Sequence, residues 1–288
     1  MRIGLSTPVV VQVPGVSSEW ERTATADDVA QIAAAADACG LEYLTCSEHV
    51  AIPSGEADSR GAVYWDPLAT LGFLAARTRR IRLATAVLVL AYHHPMEIAK
   101  RYGTLDRISG GRLTLGVGIG SLNAEFTLLG AQWDRRADRA DDAIRALRAS
   151  LSSETPQYHG PFYSYDGMTV LPHAMQQHVP IWVGGRSAGS LRRAVRFADG
   201  WMPFGLKGDQ IRRMLADVDV PQGFEVVLST SGALDPGCGP GATDEILREL
   251  CDSGATAITC SIAATSAAHY CDQVVALAAI ADAGRGGS

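Results

Sequence analysis

The stretch Pro95–Ser121, PMEIAKRYGTLDRISGGRLTLGVGIGS, decides the fold. Proline at the first helical position loses nothing, because the N–H it lacks has no intrahelical partner there. The reading predicts a helix over Pro95–Ile108 that stops at Ser109-Gly110-Gly111. A short apolar run, Leu113–Val117, then passes into glycines at 116, 118 and 120 and reads as a buried strand. A helix followed within a few residues by a buried strand is one turn of a parallel α/β fold.

The alternation continues in both directions. Strands are expected at Arg2–Ser6, Glu42–Cys46, Arg82–Val89, Leu113–Val117, Pro180–Gly184, Gly200–Pro203, Glu225–Ser229 and Ala255–Ser261. Between them, helices are expected at Ala26–Cys39, Pro67–Arg79, Pro95–Ile108, Asp138–Ser150, Ala188–Phe197, Gln210–Ala216, Thr243–Asp252 and Ala267–Asp282. Thr25 suits the cap of the first, and Asp66 before Pro67 the cap of the second. Eight interleaved strands in one domain of residues 1–288 predict an α/β fold of TIM-barrel type, (β/α)8, rather than an open sheet. One long interruption, Ser152–Val179, falls between the fourth and fifth strands, and an excursion of that length suits a lid or wall of a site.

Composition narrows the function. With 47% hydrophobic and 19% charged residues the chain supports a large core. Its net charge of -6, with arginines scattered among acids, gives no footprint for nucleic acid. The longest apolar stretch, Leu83–Ala91, is about half the ~20 residues of a membrane-spanning helix, and the N-terminus reads as a strand; a cytoplasmic location is expected. The six cysteines form no CxxC pair and are expected to be reduced and mostly buried. The histidines show no metal-ligand spacing, so no metal is expected, and no P-loop or GxSxG elbow is present.

Three segments carry chemistry. The glycines at 116, 118 and 120 are spaced G-x-G-x-G rather than as a dinucleotide fingerprint, and suit either a strand end approached by a flat ligand or close packing. In PIWVGGRSAGSL (Pro180–Leu191), Gly184, Gly185, Arg186 and Ser187 enter a helix start, where free N–H groups, a hydroxyl and a guanidinium suit a phosphate. Past the second strand stands Ser47-Glu48-His49, on the face where barrel enzymes place catalysis, and histidine suits proton transfer near neutrality.

Taken together, Tyr92–Phe126, Ser47–His49, Trp65–Val87 and Val179–Trp201 resemble the luciferase-like monooxygenase superfamily, more closely its F420-dependent oxidoreductases. The resemblance implies a bacterial-luciferase-like TIM barrel, often a homodimer, binding a flavin-type ring in its mouth. It also implies a non-proline cis peptide at Ala86-Val87 behind the ring. Gly118, Gly120 and Ser121 would border the cofactor, and Gly184, Gly185, Arg186 and Ser187 its phosphate. His49 with Glu48 resembles the acid–histidine pair around the reacting carbon. Two departures are Ser121, where some relatives have a carboxylate, and His93-His94, where relatives often have Arg-Asn.

The resemblance implies hydride transfer between coenzyme F420 and a small organic substrate. Lys100 and Lys207 are the only lysines, an arginine bias typical of GC-rich genomes, among which F420 is common. The alternatives are an FMN-dependent monooxygenase supplied by a partner reductase, and a non-catalytic flavin-binding protein.

Overall fold

In the computed structural model, which describes residues 1–285, eight parallel strands close into a barrel. They are β1 (Arg2–Ser6), β2 (Tyr43–Cys46), β3 (Arg82–Thr85), β4 (Leu113–Gly118), β5 (Ile181–Gly184), β6 (Gly200–Met202), β7 (Glu225–Leu234) and β8 (Ala257–Ile262). Each pairs with its successor, and β8 closes the ring onto β1, Ala257 opposite Arg2. The main helices are α1 (Ala26–Ala38), α2 (Pro67–Arg77), α3 (Pro95–Ser109), α4 (Arg136–Ser150), α5 (Ala188–Phe197), α6 (Gly208–Ala216), α7 (Pro240–Asp252) and α8 (Ala267–Arg285). This is the TIM barrel that the alternation predicts. Among the described residues, no helix is long and apolar enough to cross a membrane.

Three strand and loop expectations need amendment. The third strand is broken: its ladder with β4 stops at Ala84 and resumes at Leu88-Val89, with a cis peptide at Ala86-Val87 between, where the resemblance put it. The seventh strand runs on to Leu234, and its register against β8 shifts between Ser229 and Ala233. The expected strand stops at Ser229, but Thr230-Ser231-Gly232 forms a bulge that keeps the strand paired. The interruption after α4 contains a small hairpin, Tyr158–His159 with Ser164–Tyr165. All six cysteines are free, but only Cys46 and Cys260 are buried, because the others lie on helices and loops at the barrel's outer surface.

Buried carboxylates tie the loops to this frame. Asp142 on α4 accepts from the N–H groups of Phe162 (2.8 Å) and Tyr163 (3.0 Å), so the hairpin is pinned and acts as a wall. Asp106 on α3 accepts from the N–H groups of Met175 (2.7 Å) and Gln176 (2.9 Å) and from Gln176 Nε2 (2.7 Å). The Arg112 guanidinium donates to the carbonyls of Ala75, Ile81 and Ser109, closing the ends of α2 and α3. The TLDRISGGR stretch is therefore scaffold. Asp106→Ala leaves several buried donors unpartnered and is expected to lower unfolding free energy by about 3 kcal/mol in urea titration; a loss below about 1 kcal/mol would contradict the clamp.

Candidate functional site

The printed registers and the alternation of side chains divide the barrel interior into layers. At the N-terminal end Arg2 and Glu225 pair at 2.8 Å, and with Arg82 and Pro180 they form the first layer. Above it the interior is filled by a few large residues: Tyr43 and Trp182 meet edge to face at 5.2 Å. Neighbouring small residues make this possible, since a Cβ on Gly4 would lie 2.3 Å from the Tyr43 ring. Towards the C-terminal end the inward positions become small on every strand but β6: Ser6, Ala86, Gly184 and Ser229, then Ser47, Gly118 and Ser261, with Phe204 past β6 the exception. The mouth is thus a shallow dish.

Three consecutive residues past β2 reach in different directions, because successive side chains on extended backbone alternate. The Ser47 hydroxyl donates to the Ala86 carbonyl at 2.7 Å. Glu48 is buried; it accepts from the Val89 N–H at 2.6 Å, and its other oxygen lies 2.7 Å from His93 Nε2. His49 Nδ1 lies 2.7 Å from a carboxylate oxygen of Glu125. Glu48 therefore does not partner His49. Two crossed pairs stand instead, Glu48–His93 and His49–Glu125.

Glu125 has a side chain only 1% exposed and accepts further from the N–H groups of Val50 (2.6 Å) and Ala51 (3.2 Å) and from the Tyr92 hydroxyl (3.0 Å). Burial and the Glu125 charge push the Tyr92 hydroxyl well above its ordinary range, so it stays a donor. A carboxylate in this setting only accepts, which assigns the shared hydrogen to His49 Nδ1. Nε2 has no protein partner among the described residues, and the ring, 24% exposed, rests edge-on against Tyr64. That nitrogen is able to take up or deliver a proton.

The other candidates lie across the opening. Ala86 and Val87 both pack on the interior cluster, and Val87 fills the space that side chains on Gly118 and Gly184 would need: their Cβ atoms would fall 2.6 and 2.7 Å from its methyls. Gly120 is crowded by Phe126, and Ser121 is exposed. Gly185 has φ +130° and lies over Ser190, a conformation that favours glycine. The Ser187 hydroxyl caps α5, while the amides of Ala188 and Gly189 donate to no protein acceptor among the described residues. Arg186 is exposed, 5.8 Å from the Phe204 ring, with no ion pair among the described residues. Free amides, a hydroxyl and an unpaired guanidinium at one edge of a dish of small residues fit a phosphorylated, flat cofactor.

Sequence reasoning missed Glu125 and Tyr92. The short helix that carries Glu125, Asn123–Leu129, has no capping side chain to reveal it, although an acid after the glycine-rich strand end was the available signal.

The sequence model of the luciferase-like monooxygenase family matches residues 1–229. An uncharacterized protein of Mycobacterium tuberculosis is 32% identical over 200 residues, 65% of this chain and 68% of that one. The F420-dependent glucose-6-phosphate dehydrogenase of Microbacterium testaceum is 35% identical over 136 residues, 46% of this chain and 40% of that enzyme. The FMNH2-dependent dimethylsulfone monooxygenase of Pseudomonas putida is 30% identical over 149 residues, 50% and 41% respectively. Monooxygenase RslO1 from Streptomyces bottropensis shares the fold with TM-score 0.76 and 22% identity, over 99% of this chain and 100% of that one. With the family model spanning most of its length, this chain belongs to the luciferase-like monooxygenase family.

Proposed function

We propose that the chain is an F420-dependent oxidoreductase that acts on a small organic substrate in the barrel mouth. The observation that carries this reading is His49, set at the rim with Nδ1 tied to buried Glu125 and Nε2 open. When bound, F420 supplies a two-electron hydride donor or acceptor. Gly185, Arg186, Ser187 and the amides of Ala188 and Gly189 would hold its phosphate, and Ala86 and Val87 would support its ring. Negative charge that develops on a substrate oxygen is neutralised by the Nε2 proton of His49 when the ring enters the step as an imidazolium paired with Glu125, and in the reverse direction the open Nε2 of the neutral ring takes the proton up. Glu125 keeps the imidazole in the tautomer that the task needs and is a positioning residue.

The likeness to an F420-dependent enzyme and the arginine bias support F420. A second reading, FMN-dependent monooxygenation with reduced flavin from a partner reductase, is favoured by the 30% identity to such an enzyme. Titration of the purified protein with each cofactor separates them. Tighter binding of F420 is expected, and a clear preference for FMN with no F420 binding would replace the first reading by the second.

General acid–base assistance is typically worth about 10²–10⁴ in rate. His49→Ala is expected to lower the single-turnover rate, read from cofactor absorbance, within that range while cofactor Kd moves only a few-fold. Glu125→Gln is expected to cut kcat with little change in KM, because an amide offers its N–H to Nδ1 and favours the wrong tautomer. An unchanged single-turnover rate in His49→Ala would remove the histidine from the mechanism.

A further inference from the structure

We propose that the half of the mouth built by β7, β8, β1 and β2 is the substrate subsite, and that it takes an uncharged compound through a hydroxyl or carbonyl oxygen. The inference rests on the oxidoreductase reading above. Four consecutive strands around the ring each present a serine to the opening: Ser229, Ser261, Ser6 and Ser47. The opposite strands β3, β4 and β5 present Ala86, Gly118 and Gly184 at the same levels, and past β6 the inward position is the exposed Phe204.

The layer geometry brings the serines together. Arg2 of β1 and Glu225 of β7 touch at the closed end of the barrel. Ser6 and Ser229 lie four residues further along the same two strands, so they share a layer at the open end, with Ser261 of β8 between them one step higher. Ser229 is exposed, and the other three are partly exposed. The hydroxyls of Ser6, Ser229 and Ser261 have no protein partner among the described residues, and the Ser47 hydroxyl donates to the Ala86 carbonyl and can still accept. Deeper in the barrel the inward hydroxyls are satisfied: Tyr43 meets Thr259 at 2.9 Å, Thr45 donates to the Leu5 carbonyl, and Thr114 accepts from Arg82. Among the inward-facing strand positions, free hydroxyls are thus concentrated in one half of the mouth.

The chemistry of the ligand follows from the side chains. A serine hydroxyl both donates and accepts, so the row suits an alcohol as well as a carbonyl. None of these inward positions carries a charge, and an acid or an amine would be desolvated there without a counter-ion. His49 stands two residues past Ser47, at the border of this half. The phosphate-binding features, Gly185 to Gly189, follow β5 on the other side, so cofactor and substrate would meet along that border.

The test uses four probes of one shape: cyclohexanol, cyclohexanone, cyclohexanecarboxylate and cyclohexylamine. Their affinities are measured by saturation-transfer NMR on the full chain, cofactor-free and loaded with whichever of F420 and FMN it binds. The wild-type protein is expected to bind the two neutral probes about five-fold more tightly than the charged ones. The combined Ser6→Ala, Ser229→Ala, Ser261→Ala variant should lose about five-fold or more in that binding, while cofactor Kd stays within two-fold and Ser229→Thr, which keeps the hydroxyl, binds as wild type. Should the triple variant not fold, each single change is expected to move affinity in the same direction. Equal binding by the variants, preference for a charged probe, absence of probe binding to wild type, or a matching fall in cofactor affinity would each overturn the assignment. Wild-type protein that binds neither cofactor would defeat the oxidoreductase reading alone, since the cofactor-free comparison still decides the serine half.

Discussion

A buried carboxylate that accepts N–H groups from a loop distant in sequence is the interaction on which both ends of this barrel depend. Strands and helices satisfy their own backbone groups, but a loop cannot, and each buried N–H left unpaired costs about 1–3 kcal/mol. Glu21 answers this for Val9, Asp37 for Arg79, Arg80 and Ile81, Glu48 for Val89, and Glu125 for Val50 and Ala51. Asp106 and Asp142 do the same for the segment after α4. The balance differs from site to site. Burial pushes the Glu21 carboxyl up, whereas at Asp37 and Asp142 burial acts upward but is outweighed by the hydrogen bonds, which hold these groups below the ordinary range. Val9, a β-branched residue at φ 72°, is held in that uncommon conformation with its N–H on Glu21.

The same device sets the chemistry. Glu125 anchors the loop after β2 through two amides and, with its other oxygen, orients His49. Scaffold and site thus share one carboxylate. Glu48, the sequence neighbour of His49, serves the scaffold through Val89 and His93. A group that receives four donors in a dry setting has little freedom to move, which is the condition for a proton donor to stay aligned with a substrate.

The barrel was legible because strand and helix periods are local properties. Proline openings, caps and short β-branched runs gave all eight strands and all eight main helices to within a few residues. Bounds failed where tertiary pairing overrides local preference: the expected strand stops at Ser229, but Thr230-Ser231-Gly232 continues β7 as a bulge, because β8 supplies the partner. The candidate site was half legible. His49 and the Gly184–Ser187 turn were found from their places past strand ends, and the cis bond from the family likeness. The partner of His49 was not, since Glu125 is 76 residues away and no spacing rule links them. Glycines 118 and 184 read as room for a ligand, yet the nearest atoms to their missing side chains belong to Val87. Only the folded ring brings those three positions together.

Amide hydrogen exchange is the most direct test of the claim that buried carboxylates hold the loops at both ends of the barrel. Val50, Ala51, Phe162, Tyr163, Met175 and Gln176 all lie outside helices and strands. If their N–H groups are held by Glu125, Asp142 and Asp106, they will exchange as slowly as the barrel strands, through global rather than local opening. Exchange of these six amides at the rates of exposed loop residues such as Gly205 and Gly223 would contradict the account.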